Sequence, residues 1–118
     1  MATTSFEAHV RHQPQAAIVD LEGEINSFAE NVLNTAYEEA VSHQPELLLL
    51  NFRQVEYINS SGIALIVGVL KRAQKMNCPL VACGLSEHYT EIFHITRLTD
   101  YMPLYPDEAS ALSHAQAL

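Results

Sequence analysis

The chain has 118 residues and a net charge of −8. This length is enough for one hydrophobic core and too short for two, so we expect a single domain over residues 1–118. Hydrophobic residues make up 48% of the sequence, which excludes an intrinsically disordered chain. The acidic charge argues against direct binding to nucleic acid or to an anionic membrane. Because no apolar stretch is long enough to span a bilayer and the N-terminus lacks a secretion-signal pattern, we expect a cytoplasmic protein.

The first predicted elements are two strands and a helix. Residues 6–11 and 16–22 contain alternating or β-branched residues and are separated by a turn with Pro14, which predicts a β-hairpin. Ser27 and Glu30 have the spacing of a capping box, so we expect a helix to begin at Ser27. Helical spacing then predicts a buried face made of Phe28, Val32, Leu33, Ala36, Ala40 and Val41.

A central strand and a second helix follow. Residues 46–52 form a nearly continuous apolar run, which is typical of a strand buried on both faces of a parallel or mixed sheet. Asn59 and Ser60 are both favoured N-cap residues, so we expect a helix over residues 61–76. A phosphate on Ser60 would lie at the N-terminus of that helix, where backbone N–H groups and the helix dipole favour negative charge.

The last third of the chain predicts a strand over residues 80–83, a helix capped by Ser86, a short strand over residues 101–105 and a final helix. In the final helix we expect Ala109, Leu112 and Ala115 to face the core. This order predicts an α/β fold with a mixed sheet of four to five strands covered by about four helices. The carboxyl ends of the parallel strands then meet at one edge of the sheet, where ligands bind in such folds.

The helix over residues 61–76 is apolar on more than one face. One stripe contains Ile63, Ile66, Val67 and Leu70. A second stripe contains Leu65 and Val69. Both stripes are buried within the domain in one interpretation, and in the other Leu65, Val69 and Arg72 form an exposed docking strip beside Ser60.

Metal-binding and catalytic motifs are weak or missing in the sequence. Cys78, Cys83, His88 and His94 are spaced loosely like a zinc site, but the two cysteines point to opposite faces of one strand, so we expect free thiols and no metal. The sequence contains no P-loop, no dinucleotide-binding glycine motif and no nucleophile-elbow motif. We therefore expect neither a cofactor nor enzymatic activity.

Three segments carry a resemblance to a known family. Residues 58–62, with the sequence Ile-Asn-Ser-Ser-Gly, resemble the D-S-S-G signature of the STAS domains found in bacterial anti-sigma factor antagonists. Residues 23–26 resemble the G-E-[IL]-D turn of that family, and residues 80–83 with 92–93 resemble its later strand and helix. Asn26 and Asn59 stand where the family usually has aspartate.

The resemblance implies a STAS-like single domain that acts as a phosphorylation-switched binding module. Ser60 takes the position of the serine that a partner kinase phosphorylates, and Asn26 and Asn59 lie beside it. Ser61 would point inward or support the turn, and Gly62 would allow a partner to approach the backbone. Together with Leu65, Val69 and Arg72, these residues would form the partner-binding surface.

The implied partners are an anti-sigma factor serine kinase, which the unmodified form binds, and a serine phosphatase, which restores binding after phosphorylation of Ser60. The alternative is a STAS scaffold or accessory subunit of a signalling or lipid-transport complex that is never phosphorylated. The loss of both aspartates supports this alternative. A hydrolase that uses Ser60 as its nucleophile lacks a recognisable base.

Overall fold

A computed structural model describes residues 5–116 as a mixed five-stranded sheet with helices on both faces. The strands lie side by side in chain order. They are β1 (Glu7–His12), β2 (Ala16–Ile25), β3 (Leu47–Ile58), β4 (Leu80–Cys83) and β5 (Leu104–Tyr105). The helices are α1 (Glu30–Val41), α2 (Ser60–Lys75), α3 (Glu87–Ile95) and α4 (Glu108–Gln116).

The sheet combines one antiparallel pair with three parallel pairs. β1 and β2 form the predicted antiparallel hairpin, and β2 through β5 run parallel to one another. Each parallel connection is a crossover that contains a helix, as in a βαβ unit: α1 lies between β2 and β3, α2 between β3 and β4, and α3 between β4 and β5. The predicted α/β fold is therefore confirmed, with five strands and four helices in the described residues.

Two apolar clusters cover the two faces of the sheet. The larger one joins the strands to α1, α2 and α3, with Leu33, Ile66 and Phe93 among its buried side chains. The smaller one lies under α4 and contains Leu49 and Ala111. No helix among residues 5–116 is long and apolar enough to cross a bilayer.

Strand β3 ends six residues later than predicted. It continues past residue 52 through a polar and partly exposed segment to Ile58, which pairs with Ile25 at the end of β2. Two register irregularities in this pairing accompany the change from the apolar half to the polar half. Because this half is not buried on both faces, the hydrophobic pattern did not reveal it.

The predicted capping box at Ser27 is wrong. Asn26 is the cap, and its Oδ1 accepts a hydrogen bond from the Phe28 N–H at 2.9 Å. A 3₁₀ turn (Ser27–Ala29) precedes α1, which begins at Glu30.

The 3₁₀ turn changes which side chains face the core. The tighter winding of this turn rotates Phe28, the first predicted core residue, outward, and Phe28 is 90% exposed. Val32, which lies in the first turn of α1, is 40% exposed. Leu33, Ala36 and Ala40 are buried as predicted, together with Tyr37.

The predicted core face of α4 is also partly wrong. Ala111 is buried where Ala109 was expected, and Ala109 is exposed. Leu112 is half-buried and packs against the smaller cluster, as expected. The side chain of Ala115 lies outside the described part of the chain.

Candidate functional site

Ser60 is the first residue of α2 and is exposed. Asn59 has an extended backbone and caps the helix, because its Oδ1 accepts from the Gly62 N–H at 2.9 Å. The helix thus begins one residue earlier than predicted, and Ser60 lies in its first turn. Arg72 and Lys75 occupy the last turn, so charge placement along the helix follows its dipole.

Gly62 is buried against the end of β2. A Cβ atom at this position would lie 2.1 Å from the carbonyl oxygen of Ile25. The Asn59 N–H donates to that same oxygen at 3.2 Å. Gly62 therefore allows α2 to approach the backbone of β2, whereas the sequence interpretation had assigned this approach to a partner.

Asn26 directly follows Ile25, whose carbonyl oxygen accepts from the Asn59 N–H. The two asparagines therefore lie next to the same backbone hydrogen bond. Each of them is an N-cap, one for the 3₁₀ turn and one for α2. An aspartate at either position could accept the same hydrogen bond, because it offers the same oxygen in the same place. The exchange of Asp for Asn thus keeps the local hydrogen bonds and removes two negative charges from the surroundings of Ser60.

The predicted docking strip on α2 is wrong for one of its three residues. Val69 is buried in the larger cluster. Arg72 stacks over the ring of Tyr37, with its guanidinium carbon 4.3 Å from the ring centroid, and its Nη1 donates to Asn34 Oδ1 at 2.7 Å. Arg72 therefore connects α2 to α1. Leu65, which is half-buried, and Arg72, whose side chain is 39% exposed, both keep part of their surface available on α2.

Ser61 is exposed, so of its two expected roles, pointing inward or supporting the turn, the first is wrong. Two exposed aromatic residues near the site were missed by the sequence reasoning. Phe28 is 90% exposed two residues after Asn26, and Tyr57 is 50% exposed two residues before Asn59. For Phe28 the missing signal is the 3₁₀ turn, which a capping-box pattern does not distinguish from a first α-helical turn.

The two cysteines are free thiols, of which Cys83 is buried and Cys78 is half-buried. Burial raises the pKa of Cys83 to about 11 and also raises the pKa of Cys78. Both are therefore protonated and weakly nucleophilic at neutral pH. Within the described part of the chain, no group of three or more His, Cys, Asp or Glu side chains is arranged to bind a metal.

A separate groove of about 830 Å³ lies between α3 and β5. Its walls include Glu91, His94 and Leu104. None of the site residues predicted from the sequence lines it. The groove is thus distinct from the loop that carries Ser60.

Comparison with known proteins identifies the family. The model of the STAS domain matches residues 7–111. The chain belongs to the STAS domain family. The anti-sigma F factor antagonist of Paenibacillus polymyxa is 22% identical to it over 115 residues, covering 97% of this chain and 98% of the relative.

Two solved structures share the STAS fold with this chain. The crystal structure of an anti-sigma factor antagonist from Mycobacterium paratuberculosis has a TM-score of 0.83 at 22% identity and covers 95% of each chain. The Bacillus cell fate determinant SpoIIAA in its phosphorylated form has a TM-score of 0.69 at 17% identity, covering 94% of this STAS chain and 99% of that one.

Proposed function

We propose that this STAS protein is an anti-sigma factor antagonist that binds an anti-sigma factor serine kinase and loses that binding when Ser60 is phosphorylated. The observation that carries the proposal is the position of Ser60, which is exposed in the first turn of α2 beside Asn26. Relatives that align over nearly the whole chain are anti-sigma factor antagonists. A related structure exists in a phosphorylated form.

The partner-binding surface in this proposal comprises the end of β2 and the start of α2. Asn26, Asn59, Ser60 and Ser61 are its polar part, and the half-buried Leu65 extends it along the helix. Val69 belongs to the core, and the partly exposed Arg72 joins α2 to α1. The chain works as a binding module in the cytoplasm and not as an enzyme.

Charge explains how one phosphate ends the complex. A phosphoserine carries about −1.5 to −2 charges at pH 7. The N-terminus of α2 tolerates that charge because its first N–H groups and its dipole favour an anion. A kinase surface packed over Ser60 would have to desolvate the phosphate or repel it, which is costly without a paired cation. A serine phosphatase then restores the binding form.

The missing carboxylates favour a second candidate function. Asn26 and Asn59 use their side-chain oxygens as helix caps, and that role requires no charge. A STAS scaffold or accessory subunit, in a signalling or lipid-transport complex, would keep these caps without ever being phosphorylated. The two functions differ in whether Ser60 accepts a phosphate in the cell.

Intact-mass measurement after incubation with extract of the source organism and ATP separates the two functions. We expect one added phosphate, located at Ser60 by peptide mapping, and none on Ser60→Ala. A phosphate on Ser61 or Thr35 would show that the assignment of Ser60 is wrong. An unmodified chain in an extract that phosphorylates other proteins would support the scaffold.

Restoring the family's carboxylates tests what the kinase recognises. Asn26→Asp and Asn59→Asp keep both caps, so the fold should not change. Faster phosphorylation of the two variants would show that the kinase reads these charges. Unchanged or slower rates would show that it is matched to a neutral site.

A further inference from the structure

The side chain of Phe28 extends into solvent although its neighbours in the chain are fixed. The ring is 90% exposed, the largest exposed fraction among the large apolar side chains of the described residues. Ala29, the next residue, is fully buried in the larger cluster. The Phe28 N–H is bound by Asn26 Oδ1 at 2.9 Å. The backbone that carries the ring is thus tied on both sides, and the ring itself has no place in the core.

This exposed ring lies next to the start of α2. The 3₁₀ turn that contains Phe28 contacts α2, and the preceding Ile25 carbonyl accepts from the Asn59 N–H at 3.2 Å. The close approach of Gly62 to the same carbonyl fixes the spacing of the two elements. Phe28 and Ser60 are therefore carried by two turns that contact each other at one edge of the sheet.

We infer that Phe28 is the apolar anchor of the kinase interface and inserts into an uncharged pocket of the kinase. This is the same kinase whose binding depends on the phosphorylation state of Ser60. The inference rests on the proposed function. Large aromatic residues held in place before binding supply most of the energy in many interfaces, because little conformational entropy is lost when they are buried. The backbone around Phe28 is already ordered in the free protein by Asn26 and Ala29, so burial of the ring immobilises only its side-chain torsions.

The anchor also fits the way in which the phosphate acts. A partner that encloses Phe28 covers the neighbouring Ser60 and removes water from it. A doubly charged group at Ser60 would then face a desolvated apolar contact, where its charge has no counterion. A polar contact surface, open to water, would tolerate the phosphate far better.

The test begins with the kinase, purified from extract of the source organism by its ability to phosphorylate this chain on Ser60. Binding of unphosphorylated variants is measured by calorimetry. We expect Phe28→Ser to weaken binding about 10- to 100-fold, as loss of a buried aromatic side chain predicts, and Phe28→Leu to retain most of the affinity. The melting temperature of both variants should match the wild type, because the ring is exposed in the free protein.

Ile95→Ser is the matched control. Ile95 is 71% exposed at the end of α3, so this change also replaces an exposed apolar residue by serine, away from Ser60. It should bind like the wild type. Equal binding of Phe28→Ser and the wild type would overturn the anchor and leave the proposed function in place. Absence of any kinase that modifies Ser60 would overturn the proposed function, and the anchor with it.

Discussion

Two glycines of α2, Gly62 and Gly68, should respond in opposite ways to substitution by alanine. Gly62→Ala would place a Cβ against the Ile25 carbonyl oxygen, so α2 and β2 would have to separate. We expect the free energy of unfolding to fall by about 1–3 kcal/mol or more, as for an overpacked core. Apart from its chain neighbours and the nearby backbone of its own helix, Gly68 has no atom within 4 Å of the position its Cβ would take. Gly68→Ala should therefore stabilise the protein by up to about 1 kcal/mol.

Urea denaturation of the two variants measures both effects. Because each variant adds one methyl group to the same helix, the difference between them reports the contact with Ile25 and not helix propensity. If Gly62→Ala were as stable as Gly68→Ala, the close approach of α2 to β2 would be contradicted.

A second residue-scale prediction concerns the hydroxyl of Ser60. Ser60→Ala should remain in the kinase-binding state permanently, and Ser60→Asp should bind weakly, because its carboxylate brings charge to the covered surface. Ser113→Ala is the control, since Ser113 is also an exposed helical serine but lies on α4, outside the proposed binding surface. Titration against the kinase gives the comparison. Binding of Ser60→Asp at wild-type strength would refute the charge mechanism.

Sequence reasoning was accurate where one residue type has one local role. Asn59 and Ser86 were expected as caps, and each accepts from the N–H three residues ahead. It was inaccurate where two caps compete. Asn26 and Ser27 are both acceptable caps, and the choice between them depends on a 3₁₀ turn whose geometry follows from burial of Ala29. The exposure of Phe28 follows from that choice.

At the scale of elements, Arg11 connects three of them. From β1 it donates to Asp20 of β2, with Nε 2.6 Å from Oδ2, and to Glu108 at the start of α4. Asn51 of β3 donates to the same aspartate at 2.9 Å. The hydrogen bond from Arg11 is the main reason that the pKa of Asp20 lies below its ordinary value. This ion-pair cluster joins α4 to the hairpin beside the smaller apolar cluster.

The lowered pKa predicts how stability depends on pH. A carboxylate whose pKa is lower in the folded state stabilises the fold above its unfolded pKa, and this contribution is lost as the pH falls through the folded value. Asp20→Asn should cost about 1 kcal/mol at pH 7, since the pair is partly exposed. The variant should also lose less stability than the wild type below pH 4. Thermal melts from pH 7 to pH 3 measure both.

Glu22→Gln is the control for this pH series. Glu22 is an exposed carboxylate of the same strand, two residues after Asp20. Its melting curves should follow those of the wild type across the series. A loss at pH 7 equal to that of Asp20→Asn would mean that strand β2 is sensitive to any lost charge, and that Arg11 has no special role.

The elements themselves were predictable to the extent that they are buried. The apolar run at residues 47–50 revealed the central strand, because all four side chains are fully or nearly fully buried. The second half of β3 carries Arg53, Gln54 and Glu56 on exposed positions and gave no such signal. The faces of α2 could not be resolved either, since the burial of Val69 depends on packing against several other elements.

At the scale of the whole molecule, the order of strands and helices determined the fold and the edge at which the site lies. Because β2 and β3 are parallel, their carboxyl ends lie side by side, as the pairing of Ile25 with Ile58 shows. The proximity of Asn26 and Ser60 follows from that topology. The contact details at this edge, above all the packing of Gly62 on Ile25, depend on backbone distances that no pattern in the sequence encodes.

The last prediction is that phosphorylation ends partner binding without unfolding the domain. The first N–H groups of α2 and its dipole favour the phosphate by about 0.3–1 kcal/mol, and Ser60 is exposed, so the modified residue displaces no core contact. The melting temperature should therefore change by no more than a few degrees. Binding to the kinase should fall by orders of magnitude, since a buried unpaired charge costs several kcal/mol.

Melting curves and kinase titrations of the unmodified and phosphorylated forms measure the two quantities side by side. Phosphorylated Gly68→Ala is a useful companion, because added helix stability should raise both melting curves equally and leave the loss of binding unchanged. A large drop in melting temperature on phosphorylation would show that the switch acts through the fold. In that case the N-terminus of α2 would not stabilise the phosphate, and the placement of the phosphorylated residue in the first turn of this helix would be wrong.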